Sequence, residues 1–366
     1  MQKSLIRALS LLRGNDWIMK QTACVAILIC LSLIGICYGA QEQTNNQPVK
    51  IIFDTDMGSD CDDVGALALL HAYADMGRAK IIGTVYSSGK VPYGAGVAQA
   101  INIYYGRNDI PVGAYFGDDI GDPVDKMKAE ELAKDTEKFG NTIVHNKDAE
   151  EITRLNRKLL VTQKDNSVIY LTVGHTKGLH DLLVSKPDDI SPLSGRELVK
   201  KKIKRWIALG ALFAINEKGS YRRDWNFSFN GTAPYTKHLV ENFPRPMVFV
   251  TAGTDVLTGR SLKQTPPGNI VRTAYTKWLA NYSQKTLDDQ RPSWDLIAVY
   301  YAVEGLGDYL IEAPNGFLDF DIEKGSRWIQ SRRRSDQTIL IQKKNIRQPF
   351  SRYLNRMISL PPRQKQ

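Results

Sequence analysis

Short, nearly continuous apolar runs punctuate the chain, and most are followed by longer stretches whose apolar positions fall three to four residues apart. The first pattern predicts strands buried on both faces, the second amphipathic or buried helices. Strands are predicted at 49–53, 80–86 (KIIGTVY), 111–114, 167–173 (SVIYLTV), 203–209 and 247–251. Helices are predicted at 62–73, with apolar residues at 64, 67, 68 and 70, and at 95–105, 149–160, 294–303 and from Thr176 onward. Strands alternating with helices specify the α/β class, with a mostly parallel (mixed) central sheet flanked by helices. Ligands of such folds sit beyond the carboxyl ends of the strands. No internal repeat or low-complexity linker interrupts the pattern after Gln47, so a single catalytic domain is expected over about 48–362.

The first forty residues depart from this pattern. Lys3, Arg7, Arg13 and Lys20 precede an apolar stretch from Ala23 to Tyr38, then Gly39-Ala40 and a polar linker over 41–47. A basic region, a short apolar core and small residues at a polar boundary predict a signal peptide over 1–40 and export to a periplasmic or extracellular site. The alternative is a membrane anchor through residues 23–38, although that run is shorter than the ~20 residues of a spanning helix. Cys24, Cys30 and Cys37 lie in this segment, leaving Cys61 alone in the mature chain and no internal disulfide to support the fold.

Charge changes the picture at the other end. The net charge of +10 is concentrated from Lys324 onward, where twelve Lys or Arg face a single acidic residue, Asp336. This segment reads as a solvated basic surface on C-terminal helices, with weak contact to an anionic surface as the alternative and no specific nucleic-acid site, since no stacking aromatics interleave regularly.

The candidate chemistry lies at the end of the first strand, where DTDMGSDCDD places five aspartates within ten residues, from Asp54 to Asp63. Carboxylates this dense between a buried strand and a buried helix need a cation, and hard oxygen donors select Ca²⁺ or Mg²⁺. An EF-hand is excluded, because Gly58 and Gly65 stand at loop positions five and twelve and no helix precedes. A haloacid dehalogenase-type phosphatase also opens on an apolar strand and D-x-D, which would make Asp54 the nucleophile. Gly58 stands where such enzymes carry Thr or Val, and the carboxylates at 60, 62 and 63 would repel phosphate.

D-T-D-x-G-x-D-x-D-D-x-x-A-L resembles the opening signature of the inosine–uridine-preferring nucleoside hydrolase family. Further segments are similar in order: Val173-Gly174-His175-Thr176 after a strand, Asp224-Trp225-Asn226-Phe227, and Ser293-Trp294-Asp295-Leu296 at the start of a late helix. The resemblance covers about residues 49–305. It implies a Rossmann-like fold, a homo-oligomer (dimer or tetramer), a small nucleoside ligand and a Ca²⁺ held by Asp56, Asp63, the carbonyl of Val173 and Asp295. It further implies that Asp56 is the base toward a water at the ion, that Asp62 accepts from a ribose hydroxyl, and that Asp224 and Asn226 grip the far hydroxyls. The reaction so implied is hydrolysis of the N-glycosidic bond to ribose and free base; a member that binds nucleosides without turnover is the other possibility. Asp54 is expected to buttress the metal loop through backbone N–H groups, and Asp60 to cap the following helix.

The sequence departs from the family in three places. Trp294 replaces a histidine that often serves as acid to the departing base; an indole can stack on that base instead. Ser88 stands near the position of a ribose-binding Asn, and Asn216 is the nearest equivalent of an earlier one. His175 reads as a solvated loop histidine, with a substitute-acid role as the alternative. His71, His145, His180 and His238 lack metal-ligand spacing, and Gly94-Ala95-Gly96 is no dinucleotide fingerprint.

Overall fold

The computed structural model describes residues 47–332 and 336–363. The expected signal and the three cysteines within it lie outside the described residues, as do Arg333 and Arg334. Among the described residues no helix is long and apolar enough to cross a membrane.

Nine strands form the central sheet. In chain order they are β1 (Val49–Thr55), β2 (Ala79–Tyr86), β3 (Val112–Ala114), β4 (Glu150–Glu151), β5 (Val168–Thr172), β6 (Ile203–Leu209), β7 (Met247–Val250), β10 (Leu310–Glu312) and β13 (Gln337–Gln342). Two small antiparallel pairs complete the set, β8 (Leu257–Thr258) with β9 (Arg291–Pro292) and β11 (Gly316–Asp321) with β12 (Gly325–Gln330). The sheet order is β10-β13-β7-β6-β5-β1-β2-β3-β4. Every neighbouring pair is parallel except β10 with β13, which makes the sheet mixed through one antiparallel edge.

Apolar runs become central strands here because both faces are covered. In β1, Ile51 and Phe53 enter one hydrophobic layer and Ile52 the other. The Asp62–Asp75 helix that follows β1 packs in the first layer, and Leu179, Leu182 and Leu183 of the Lys177–Val184 helix that follows β5 pack in the second. The chain thus leaves neighbouring β1 and β5 toward opposite faces, which opens a crevice at their carboxyl ends.

The C-terminal segment differs from its expected form. The described residues of 324–363 contain β12, β13 and a single helix, Arg347–Ile358, rather than a set of helices. β13 is inserted between β7 and β10, with Ile339 and Leu340 fully buried, because its apolar side chains complete both layers of the sheet. Its basic neighbours are engaged locally: Arg327 pairs with Asp319 at 2.8 Å, and Lys343 Nζ donates to the Gly307 carbonyl at 3.0 Å.

Candidate active site

Three loops meet at the crevice. The backbone N–H groups of Val173 and Gly174 donate to the Asp54 carbonyl at 2.8 and 3.3 Å, tying the end of β5 to the end of β1. Gly174 is required for this approach, since a Cβ there would lie 2.6 Å from the Asp56 nitrogen. The late helix Trp294–Glu304 delivers Asp295 from the far side. Together they line a cavity of about 270 Å³ whose wall includes Asp56, Asp60, Asp62, Asp63, Val173, Asn226, Trp294 and Asp295.

Asp62, Asp63 and Asp295 are buried, and each offers an oxygen within 4.8 Å of the others, so the trio could bind a metal ion. Asp63 Oδ1 accepts from Thr55 Oγ1 at 2.5 Å and from the Asp56 N–H at 3.2 Å. Asp62 Oδ2 accepts from the Asp295 N–H at 3.4 Å. Burial, followed by mutual repulsion, pushes the Asp56, Asp62 and Asp295 carboxyls well above the usual carboxylate range. Ionising them together requires a neutralising cation, and an all-oxygen donor set fits a hard dication such as Ca²⁺.

The remaining expected residues divide. Asp56 lines the cavity with its Oδ2 3.0 Å from His175 Nε2. Val173 also lines it, and its carbonyl accepts from Asn226 Nδ2 at 2.5 Å. Trp294 forms wall, its Nε1 donating to Thr254 Oγ1 at 3.1 Å. Ser88 and Asp224 are buried but stand outside the cavity lining. Ser88 Oγ faces the Ile120 carbonyl at 3.5 Å; Asp224 caps the Trp225–Ser228 turn, accepting from the Phe227 N–H at 2.9 Å, and burial pushes its carboxyl up to about 7. Asn216 is occupied within its own loop, donating to the carbonyls of Phe213 and Ser220.

Two expectations about neighbouring groups are corrected. His175 is fully buried rather than solvated, because the strand-end turn and a Thr176–Thr232 hydrogen bond fold its loop inward; burial lowers its pKa to about 4, leaving a neutral imidazole. Asp54 does not collect backbone N–H groups through its side chain. Its Oδ2 accepts from Tyr170 Oη at 3.0 Å in the opposite layer, and burial pushes the carboxyl up to about 8. It is absent from the cavity wall, which removes the nucleophile that a phosphatase would need there. Asp60 does take the N–H groups of Cys61 and Asp62 at the helix start, at 2.5 and 3.4 Å.

Sequence reasoning missed several wall residues. Asp122 and Lys126 reach the cavity from a distant loop, Trp278 and Tyr282 from the Ile270–Ser283 helix, and Arg291, on β9, places its guanidinium among the aspartates. The signal for Arg291 was present in Arg291-Pro292-Ser293-Trp294-Asp295, four residues before a predicted ligand.

Comparison with solved structures gives the same architecture throughout the described body. An inosine–uridine-preferring nucleoside hydrolase from Bacillus anthracis superposes with a TM-score of 0.59 at 16% identity, covering 85% of this chain and 99% of that one. The chain has the nucleoside hydrolase fold. A plant nucleoside hydrolase matches equally, with a TM-score of 0.59 over 86% of this chain and all of that one, at 16% identity. A type III effector, XopQ, complexed with adenosine diphosphate ribose matches at 0.57 and 13% identity, over 85% of this chain and 93% of that one. No protein-family model and no curated protein matches the sequence.

Proposed function

We propose that the chain is a Ca²⁺-dependent N-ribosyl hydrolase that splits a ribonucleoside into ribose and free base. The observation that carries the reading is the buried Asp62–Asp63–Asp295 trio opening on an aromatic-walled cavity at the β1–β5 crevice of a nucleoside hydrolase fold. Asp56, Asp63, the Val173 carbonyl and Asp295 are the proposed ligands, with Asp62 at their edge. A bound dication supplies charge that makes a neighbouring water more acidic.

Asp56 accepts the proton of that attacking water as its oxygen bonds to C1′. The N-glycosidic bond breaks, its electron pair leaves with the base, and the base takes up a proton from solvent, to which Asp56 releases the one it accepted. The surrounding carboxylates stabilise the positive charge developing on the ribosyl ring. Asp62 accepts from one ribose hydroxyl and Asn226 reaches others; Asp224 and Ser88 act behind them, fixing the Asn226 turn and the post-β2 loop. Trp294 offers an indole face to the departing base.

A second reading, nucleoside binding without turnover, is favoured by one observation: Trp294 has no proton to give where an acid would serve the leaving base. A reducing-sugar assay over a nucleoside panel, with and without EGTA, separates the two. Ribose release that EGTA abolishes supports the hydrolase; calorimetric binding with no sugar released supports the binder.

A further inference from the structure

A guanidinium is an unexpected group on the wall of a cavity suited to a dication. Arg291 is nevertheless only 5% exposed there. Its Nη2 meets Asp60 Oδ2 and lies 3.1 Å from Asp62 Oδ1. Its carbon centre lies 4.2 Å from the Trp278 ring centroid and 5.1 Å from that of Trp294. Those indoles are themselves held, Trp278 Nε1 by the Ser59 carbonyl at 2.8 Å and Trp294 Nε1 by Thr254. The backbone of Arg291 is fixed as well, since it pairs with Thr258 across the β8–β9 ladder. A guanidinium keeps its charge in proteins, so the group brings a fixed positive charge to this wall.

This placement answers a question that the sequence raises. Three carboxylates suffice for an ion, yet five aspartates stand between 54 and 63. Asp54 faces the opposite layer, and Asp60 and Asp62 are both met by Arg291. One guanidinium nitrogen, Nη2, faces both carboxylates, and the flat faces of the group suit the flanking indoles.

We propose that Arg291 is a resident counter-cation of the acidic pocket, a positioning residue that clamps Asp60 and Asp62 and weakens the hold of Asp62, Asp63 and Asp295 on a divalent ion. The inference rests on the reading of that trio as a cation site. Its charge repels the incoming dication, and its hydrogen bond occupies one oxygen of Asp62. The site therefore binds Ca²⁺ less tightly than its carboxylate count would give.

Calorimetric titration of the full chain with CaCl₂ tests this, using wild type, Arg291→Gln, Arg291→Met and Arg291→Lys. The neutral variants are expected to bind Ca²⁺ about tenfold tighter or more, and to gain more in Tm on Ca²⁺ addition than wild type does. The Lys variant, which keeps the charge, should remain within a few-fold of wild type. Arg291→Met preserves bulk between the indoles, so it carries the comparison if the Gln variant folds poorly. Equal or weaker Ca²⁺ binding by the neutral variants, with wild type binding normally, overturns the role of Arg291 and leaves the hydrolase reading standing. No Ca²⁺ binding by any form at millimolar concentration overturns both.

Discussion

At the scale of single residues, the account depends on which carboxylates face the cavity. Asp56 does, and Asp56→Asn is expected to lower kcat for ribose release about 10²-fold or more while leaving the Tm nearly unchanged. Unchanged turnover would remove Asp56 as the base. Asp54 does not, so Asp54→Asn should retain ribose release. The same variant reports on pH: with its pKa raised to about 8, folded Asp54 keeps a proton that the unfolded chain releases near pH 4. Its contribution to stability is complete below about pH 4 and is lost as pH rises through about 8. In saturating Ca²⁺, wild type should therefore lose more Tm than Asp54→Asn between about pH 5 and about pH 9; parallel losses would contradict the buried, protonated Asp54. Much at this scale was legible in DTDMGSDCDD and Ser293-Trp294-Asp295, because adjacent carboxylates announce themselves locally. Arg291 was marked only by its place four residues before Asp295, and His175 by nothing but its turn, because a lone cation before a proline and a histidine after a turn both look solvated until remote segments cover them.

At the scale of elements, the parallel strands were legible because burial on both faces leaves an apolar run with little alternation. The two-residue strands β4, β8 and β9 carry too few residues for any period, and β13 was hidden in a basic segment whose charge suggested solvent. Leu340 of β13 is fully buried beside β7, so Leu340→Ala is expected to cost about 2–5 kcal/mol in denaturant unfolding. A cost within experimental error would mean that β13 is peripheral after all. The β5–β1 junction makes a different demand. A Cβ at position 174 would press on the Asp56 nitrogen and on the Thr55 carbonyl carbon, each 2.6 Å away. Gly174→Ala should thus weaken Ca²⁺ binding about tenfold or more by spreading the two strand ends, read by calorimetry. Wild-type affinity would show that the junction does not shape the site.

At the scale of the whole molecule, the alternation of strands and helices made the mixed α/β sheet legible, whereas its strand order was not, since order depends on which crossovers pack together. The C-terminal segment, outside the region of family resemblance, supplies a strand to the interior of the sheet. That sheet brings Asp62 and Asp63 from the first helix against Asp295 from a helix more than two hundred residues later, and only folding assembles the set. The most direct measurement is a crystal structure of the protein grown in millimolar Ca²⁺ with anomalous data. The account predicts a single ion about 2.3–2.6 Å from oxygens of Asp63, Asp295 and Asp56 or Asp62. A well-ordered crevice with those carboxylates turned apart around ordinary solvent would contradict it.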